Sequence, residues 1–335
     1  MRVPMPRIVA LDKVWDRAPH NAFTDLVRFR ASWFLAFREG ASHMLCEGRI
    51  RVLASADGRR WESAALIAEE GIDLRDPHFS IDGSTGELEL VMGGTRVVEG
   101  KSVGRRPRVA RSADGVAWSA NVPVLAEGDW LWRVERRGDE GFGVSYRLPR
   151  KNFWTVHLCR SVAGSPWTDV AELPVRGKPN EATVRLLPDG TMVALVRRES
   201  GDRKAWIGTS PAPYTEWSGS ETREYLGGPN FIALPDGRLL AAGRVSKRGT
   251  PATALLDMTL PRTGRAPDAQ ADAGGLRRLL ELPSAGDCSY PGLVYEDGRL
   301  HVSYYSSHEG KAAIYLAKID LEPAPSGRGP VTEAP

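Results

Sequence analysis

Long apolar runs, paired cysteines and an excess of one charge are all lacking in this chain. No stretch of about 18 apolar residues occurs, so no membrane-spanning helix is expected. Met1 to His20 holds no apolar core of the kind a secretory leader needs. The three cysteines, Cys46, Cys159 and Cys288, are scattered and odd in number, and neither Cys-x-x-Cys nor His-Glu-x-x-His is present. No zinc or other metal site is therefore expected, and the thiols read as buried and reduced. These absences point to a cytoplasmic protein; a chain already trimmed of its leader would read the same. A formal net charge of +3 is too small to argue for a nucleic-acid partner. Sustained 3.6-residue periodicity is missing too, so almost no helix is expected. Nothing in the sequence asks for a cofactor.

The chain is instead rich in turn formers, with 35 glycines and 24 prolines, and it repeats itself. Ser55-Ala-Asp57-Gly58-Arg-Arg-Trp61 returns as Ser112-Ala-Asp114-Gly115-Val-Ala-Trp118, with degenerate copies at Ser161–Trp167 and Ser210–Trp217. A second repeat interleaves: Leu187-Pro-Asp189-Gly190, Leu234-Pro-Asp236-Gly237 and the variant Tyr295-Glu-Asp297-Gly298. Asp-Gly between apolar runs signals a tight hairpin. The unit is a strand, a turn, a second strand, then a third strand leading through the Ser-x-Asp-Gly-x-x-Trp turn into a fourth. Six units begin near Asn21, Asp76, Trp130, Glu181, Asn230 and Tyr290. About 50 residues per unit matches a four-stranded propeller blade. The fold class expected is all-β, a six-bladed β-propeller in one domain over residues 1–321. The sixth unit stops after its third strand, Ala312–Asp320, so the N-terminal run Arg7–Val14 is expected to complete that blade and close the ring. The Pro/Gly-rich tail, 322–335, reads as disordered and Pro261–Gly275 as a long surface loop.

Ser-x-Asp-Gly-x-x-Trp resembles the Asp box of the sialidase superfamily, one residue shorter than its common form. That motif is a fold-stabilising turn far from the active site, so Asp57, Asp114, Trp61 and Trp118 read as structural. Two further segments resemble sialidases in their chemistry. Glu181-Ala-Thr-Val-Arg-Leu-Leu-Pro-Asp-Gly-Thr-Met-Val-Ala-Leu-Val-Arg197 is similar to the fourth blade of that family, where a Glu opens the inner strand and an Arg closes the hairpin. Ser289-Tyr290-Pro-Gly-Leu-Val-Tyr-Glu-Asp-Gly is similar to the sixth-blade segment that carries a nucleophilic Tyr. The resemblance implies that Tyr290 and Glu181 form a charge-relay pair and that Arg197 binds a substrate carboxylate. Where the family opens blade one with Arg-Ile-Pro, this chain reads His20-Asn21-Ala-Phe, with Asn21 in place of the arginine.

Propeller topology gathers first-strand starts and second-strand ends at one mouth of the axis, where ligand sites form. Arg38, Arg197 and Arg244 each follow an apolar second strand, which makes a shared anion site out of three guanidiniums. The alternative is that each caps its strand and pairs with its own blade's acid. Arg248 competes with Arg244 for the blade-five role. Around the mouth we place Asn21, Arg75, Asp76, Trp130, Trp132, Glu181, Asn230 and Tyr290, with Glu39 and His43 just beyond. Trp132 is a candidate sugar-stacking face, or core packing; His43 and His308 are candidate site residues, or plain loop residues. A Tyr nucleophile needs an acceptor for its proton, which Glu181 provides, and neighbouring arginines to favour the phenolate. It suits an anomeric centre bearing a carboxylate, because a neutral nucleophile approaches without charge repulsion. The function expected is an exo-acting glycoside hydrolase removing a terminal acidic sugar, a nonulosonic acid or one like Kdo. Tyr290 is then nucleophile, Glu181 its base, Asp76 the acid, and Arg197, Arg38 and Arg244 the clamp. The alternatives are a glycosidase for a neutral or uronic sugar using Glu181 and Asp76, and a carbohydrate-binding propeller without catalysis. The partner in each case is a glycan.

Overall fold

The computed structural model describes residues 6–44, 46–162, 165–247, 249–261 and 275–321. The expected tail, most of the Pro261–Gly275 loop and Arg248 lie outside them. Among the described residues every regular element is a strand, and the 24 strands, numbered β1 to β24 along the chain, form six four-stranded antiparallel sheets. The fold is a six-bladed β-propeller.

Blade one shows the logic. Its innermost strand β2 (His20–Phe29) pairs with β3 (Ser32–Gly40), then β4 (Arg49–Ser55), then the outer β5 (Glu62–Ile67). β3 reads Ser-Trp-Phe-Leu-Ala-Phe-Arg-Glu-Gly and is buried over seven consecutive residues, because neighbouring blades cover both its faces. β5, on the rim, is largely exposed. The apolar core lies between blades, so each sheet stabilises its neighbours and no blade is independent.

The turns follow their sequence signals. Asp57 Oδ1 accepts the backbone N–H groups of Arg59 and Arg60 at 2.8 and 2.9 Å, and Asp114 Oδ1 accepts those of Val116 and Ala117 at the same two distances. These Asp boxes follow the third strands, at the end opposite the mouth. Gly190, in the Leu-Pro-Asp-Gly hairpin of blade four, takes φ +85°, a conformation that glycine adopts without strain.

The ring closes as expected. β1 (Arg7–Trp15) pairs with β24 (Ala313–Asp320), which is flanked in turn by β23 (Arg299–Ser306) and β22 (Cys288–Glu296). Asn21 locks this seam. Its Nδ2 donates to the carbonyls of Ala312 at 2.8 Å and Ala18 at 2.9 Å, and its Oδ1 accepts the N–H of Ala18. Both ends of the amide are thus spent on backbone, which removes Asn21 from the ligand-binding set. Cys159 and Cys288 are buried thiols, whereas Cys46 is only half-buried, since it sits in the β3–β4 connection.

Candidate active site

Each innermost strand carries a two-residue bulge near its start. The unpaired residues are Phe23-Thr24 in β2, Asp76-Pro77 in β6 (Ile72–Ile81) and Trp132-Arg133 in β10 (Trp130–Arg137). They continue as Asn180-Glu181 in β14 (Pro179–Leu186), Gly228-Pro229 in β18 (Gly227–Ala233) and Tyr290-Pro291 in β22. A bulge re-aims side chains and ends regular pairing, so six of them turn the mouth of the axis into a ring of directed groups. Phe23, Asp76 and Tyr290 hold φ of +59°, +47° and +54° there. Such values cost on the order of 1–3 kcal/mol each for side chains larger than glycine, strain that concentrates at functional sites.

The Tyr290 bulge is braced from three other blades. Thr24 Oγ1 donates to the Tyr290 carbonyl at 2.8 Å, while Arg133 and Asn230 donate to that of Pro291 at 2.9 and 3.0 Å. Arg133 is held in turn by Asp25 at 2.6 Å. This polar floor fixes the ring above it.

On that floor Tyr290 OH donates to Glu181 Oε1 at 2.6 Å. Glu181 Oε2 accepts Arg197 Nη1 at 2.7 Å and the Gly228 N–H at 2.8 Å. Arg197 Nη1 also lies 3.2 Å from the Tyr290 oxygen, and its Nη2 pairs with Glu199. Burial works against the charged form of Glu181, but Arg197 and these hydrogen bonds hold its carboxyl below the usual range. Burial and the negative Glu181 push Tyr290 well above 10, against Arg197 and Arg244. The phenol therefore keeps its proton at rest and offers it to an ionised Glu181; the arginines do not make it a standing phenolate.

Arg244 joins this group. Its guanidinium lies over the Tyr290 ring, 5.5 Å from the centroid, and donates to the Cys288 carbonyl at 2.8 Å and to Tyr305 OH at 3.0 Å. Arg75 stands over the Phe23 ring at 5.0 Å, within electrostatic reach of Tyr290. Its Nε is buried without a hydrogen-bond partner. The neighbouring Asp76 has a buried, unpartnered Oδ1. Burial raises its pKa to about 6, with Glu181 adding and Arg75 opposing. A cleft of about 430 Å³ opens beside Arg197 and Arg244, lined also by Tyr225, Ser246 and Pro251.

Other expected members fall outside this group. Arg38 is fully buried and turned to blade two, where its Nε and Nη2 meet Asp73 Oδ1 at 2.8 and 2.7 Å. It cannot clamp a ligand. The reason is its acid partner: Arg38 pairs with Ala22, one residue before the bulge, and Arg244 pairs with Gly227 in the same register, but only Arg38 is captured by a buried Asp73. Glu39 accepts Trp15 Nε1 at 2.7 Å and Arg51 Nη2 at 3.0 Å, a structural role. Trp132 is buried against His78 and Tyr290, at ring separations of 4.6 and 5.8 Å, which makes it the wall beneath the site, not a sugar platform. Trp130 is buried as well. His308 packs on Tyr315.

His43 is at the mouth, edge-on to Phe23. It leads to Asp287 and Tyr305, which the sequence reading missed. His43 Nδ1 and His20 Nε2 both meet Asp287 Oδ2, at 2.7 and 2.9 Å, and Tyr305 OH donates to Asp287 Oδ1 at 2.8 Å. Phe23 contacts both His43 and Tyr290, its ring 5.2 and 5.0 Å from theirs. Asp287 occupies the same place relative to its bulge as Asp73 does in blade two. Asp73 consumes Arg38. Asp287, drawn by the histidines and Tyr305, leaves Arg244 at 3.6 Å and free to cover Tyr290.

No protein-family model matches the chain, and no curated protein matches it significantly. Solved structures do. A Dyadobacter fermentans protein of unknown function aligns over 96% of this chain and 100% of its own, with a TM-score of 0.79 at 19% identity. The chain shares its fold with glycoside hydrolases. Trypanosoma rangeli sialidase with sialic acid aligns at TM-score 0.65 and 11% identity over 90% of this chain, which spans 54% of the sialidase. The α-L-arabinofuranosidase Arb93A from Fusarium graminearum, with an iminosugar inhibitor, aligns at TM-score 0.69 and 12% identity over 94% of this chain and 98% of its own. At such identities the likeness is one of architecture, and chemistry has to be argued from the site itself.

Proposed function

We propose that the chain is an exo-acting glycoside hydrolase that removes a terminal acidic sugar through Tyr290. The observation that carries this reading is the hydrogen bond of 2.6 Å from Tyr290 OH to an ionised Glu181, with Arg197 on both partners and Arg244 over the ring. As the Tyr290 oxygen attacks the anomeric carbon, its proton passes to Glu181, and Arg197 and Arg244 stabilise the developing phenolate. Asp76 protonates the departing oxygen, then takes a proton from the water that cleaves the glycosyl–tyrosine bond. Retention of configuration follows from two displacements. Arg75, Arg197 and Arg244 form the carboxylate clamp, with Arg75 in the place first given to Arg38. Each charge-assisted bond to a carboxylate contributes about 1.5–3 kcal/mol, so losing one arginine lowers affinity roughly 10- to 100-fold.

One observation favours a second reading. Asp76 is raised to about 6 while Glu181 is lowered, and such a divergent carboxylate pair also fits acid and nucleophile or base roles on a neutral sugar. Tyr290→Phe decides between them. Wild type and variant are assayed on 4-methylumbelliferyl glycosides of sialic acid, Kdo and α-L-arabinofuranose, beside glycan-array binding. Turnover of an acidic glycoside that Tyr290→Phe abolishes, with folding and binding kept, supports the proposal. A variant that keeps most activity, or turnover of the neutral glycoside alone, overturns it. Array binding without any turnover favours a carbohydrate-binding propeller.

A further inference from the structure

Linear spacing offers no reason to expect a metal, yet the fold assembles a ligand set that no linear motif displays. His20 opens β2, His43 lies between β3 and β4, and Asp287 precedes β22, 267 residues from His20 and 244 from His43. His20 Nε2, His43 Nδ1 and the Asp287 carboxylate lie within 4.8 Å of one another. The two imidazole nitrogens converge on one oxygen, Oδ2, at 2.9 and 2.7 Å. The two oxygens of Asp287 are divided in their use. Oδ1 is anchored by Tyr305 OH at 2.8 Å, with Arg244 Nη2 at 3.6 Å, so the guanidinium lies on the side away from the imidazoles. The carboxylate is therefore held from behind, as ligating carboxylates are by their outer partners.

We propose that His20, His43 and Asp287 bind a divalent transition-metal ion of the zinc class, with an open coordination position at the mouth of the channel. Two imidazoles and a carboxylate are borderline-to-hard donors suited to such ions, and three protein ligands with a vacant position are the open type of zinc site. The two contacts to Asp287 need little change. Around a tetrahedral ion with bonds of about 2.0–2.1 Å the donors stand roughly 3.3 Å apart, so the two contacts to Oδ2 open by about half an ångström. Solvent reaches the cluster, since the His43 side chain is 40% exposed and that of Asp287 31%. The open position takes water or a sugar oxygen, near the site, since the His43 and Tyr290 rings both contact Phe23, at 5.2 and 5.0 Å.

The test is titration of the metal-free full chain with Zn²⁺ by calorimetry and with Co²⁺ by visible absorption, at pH 7.5. Cys46→Ser serves as the background, so that its half-buried thiol cannot contribute. One equivalent should bind, with cobalt bands of four-coordinate intensity. His43→Ala and His20→Ala should each abolish stoichiometric binding, His308→Ala should leave it unchanged, and Tyr305→Phe should weaken it roughly 10- to 100-fold through the loosened carboxylate. No stoichiometric binding, or binding that survives His43→Ala, overturns the proposal and leaves the cluster as a hydrogen-bonded histidine pair. Binding is read without substrate, so failure of the glycosidase reading does not decide it.

Discussion

Replacing Asp76 by asparagine should lower activity and raise stability together. Asp76 titrates at about 6 in the folded chain because burial disfavours its charge. The unfolded chain returns it to about 3.9. Folded protein thus holds this proton more tightly than unfolded protein. The stability from this group is fully present below about pH 4 and is lost as pH rises through about 6. The shift of about two units corresponds to about 3 kcal/mol at neutral pH. The amide introduced by Asp76→Asn has no such titration, and asparagine tolerates the left-handed backbone at φ +47°. Arg75 loses its neighbouring charge in the variant, so the net gain falls below that ceiling. Urea unfolding of both proteins at pH 4 and pH 7.5 reads the effect as a variant-minus-wild-type difference that grows with pH. In the kcat/KM profile the wild type should decline above about pH 6 as the acid loses its proton. The variant should fall by roughly 10²- to 10⁴-fold on substrates with alkyl leaving groups, and by less on aryl glycosides, whose leaving groups need little proton assistance. A stability difference that does not change with pH, or wild-type activity in the variant, would refute both the buried-acid argument and the assignment of Asp76.

Other substitutions separate structural from site roles. Arg38→Met leaves the buried Asp73 unpaired and should cost roughly 3–5 kcal/mol in urea unfolding, while KM of the folded fraction stays at its wild-type value; a shifted KM would put Arg38 back in the site. Gly228→Ala places a Cβ about 2.8 Å from the Tyr290 ring, at φ +57°, and should reduce kcat by displacing Tyr290 while the circular-dichroism spectrum is retained; unchanged kcat would detach Tyr290 from catalysis. Removing residues 1–15 strips β1 from β24 and Trp15 from the core, so the truncated chain should elute as aggregate in size-exclusion chromatography; a folded monodisperse product would count against the closure.

What could be read in the sequence is what repeats. Asp-Gly hairpins and Asp boxes are local, so their spacing counts blades directly, and the missing fourth strand of the last unit identifies Arg7–Val14 as the closing strand. Tyr290, Glu181 and Arg197 were singled out by the resemblance of their two segments to the sialidase family, and the fold brings the three side chains together. The errors arose at a scale of one residue. Phe37-Arg38-Glu39 and Arg197-Arg198-Glu199 occupy matching positions about their bulges, so the counterpart of Arg38 is Arg198 and not Arg197. The shared Arg-Glu pair carried that signal. Arg198 behaves as Arg38 does, buried and donating from Nε to the Arg176 carbonyl at 2.7 Å. A one-residue offset changes the face a side chain presents, and the acid beside it then matters: Arg244 shares the register of Arg38 and Arg198 but stays over Tyr290, because Asp287 lies 3.6 Å away where Asp73 holds Arg38 at 2.7 Å. The cluster of His20, His43 and Asp287 had no local signal at all. It exists because ring closure brings the first and last blades together, a contact between the ends of the chain that only the completed fold defines.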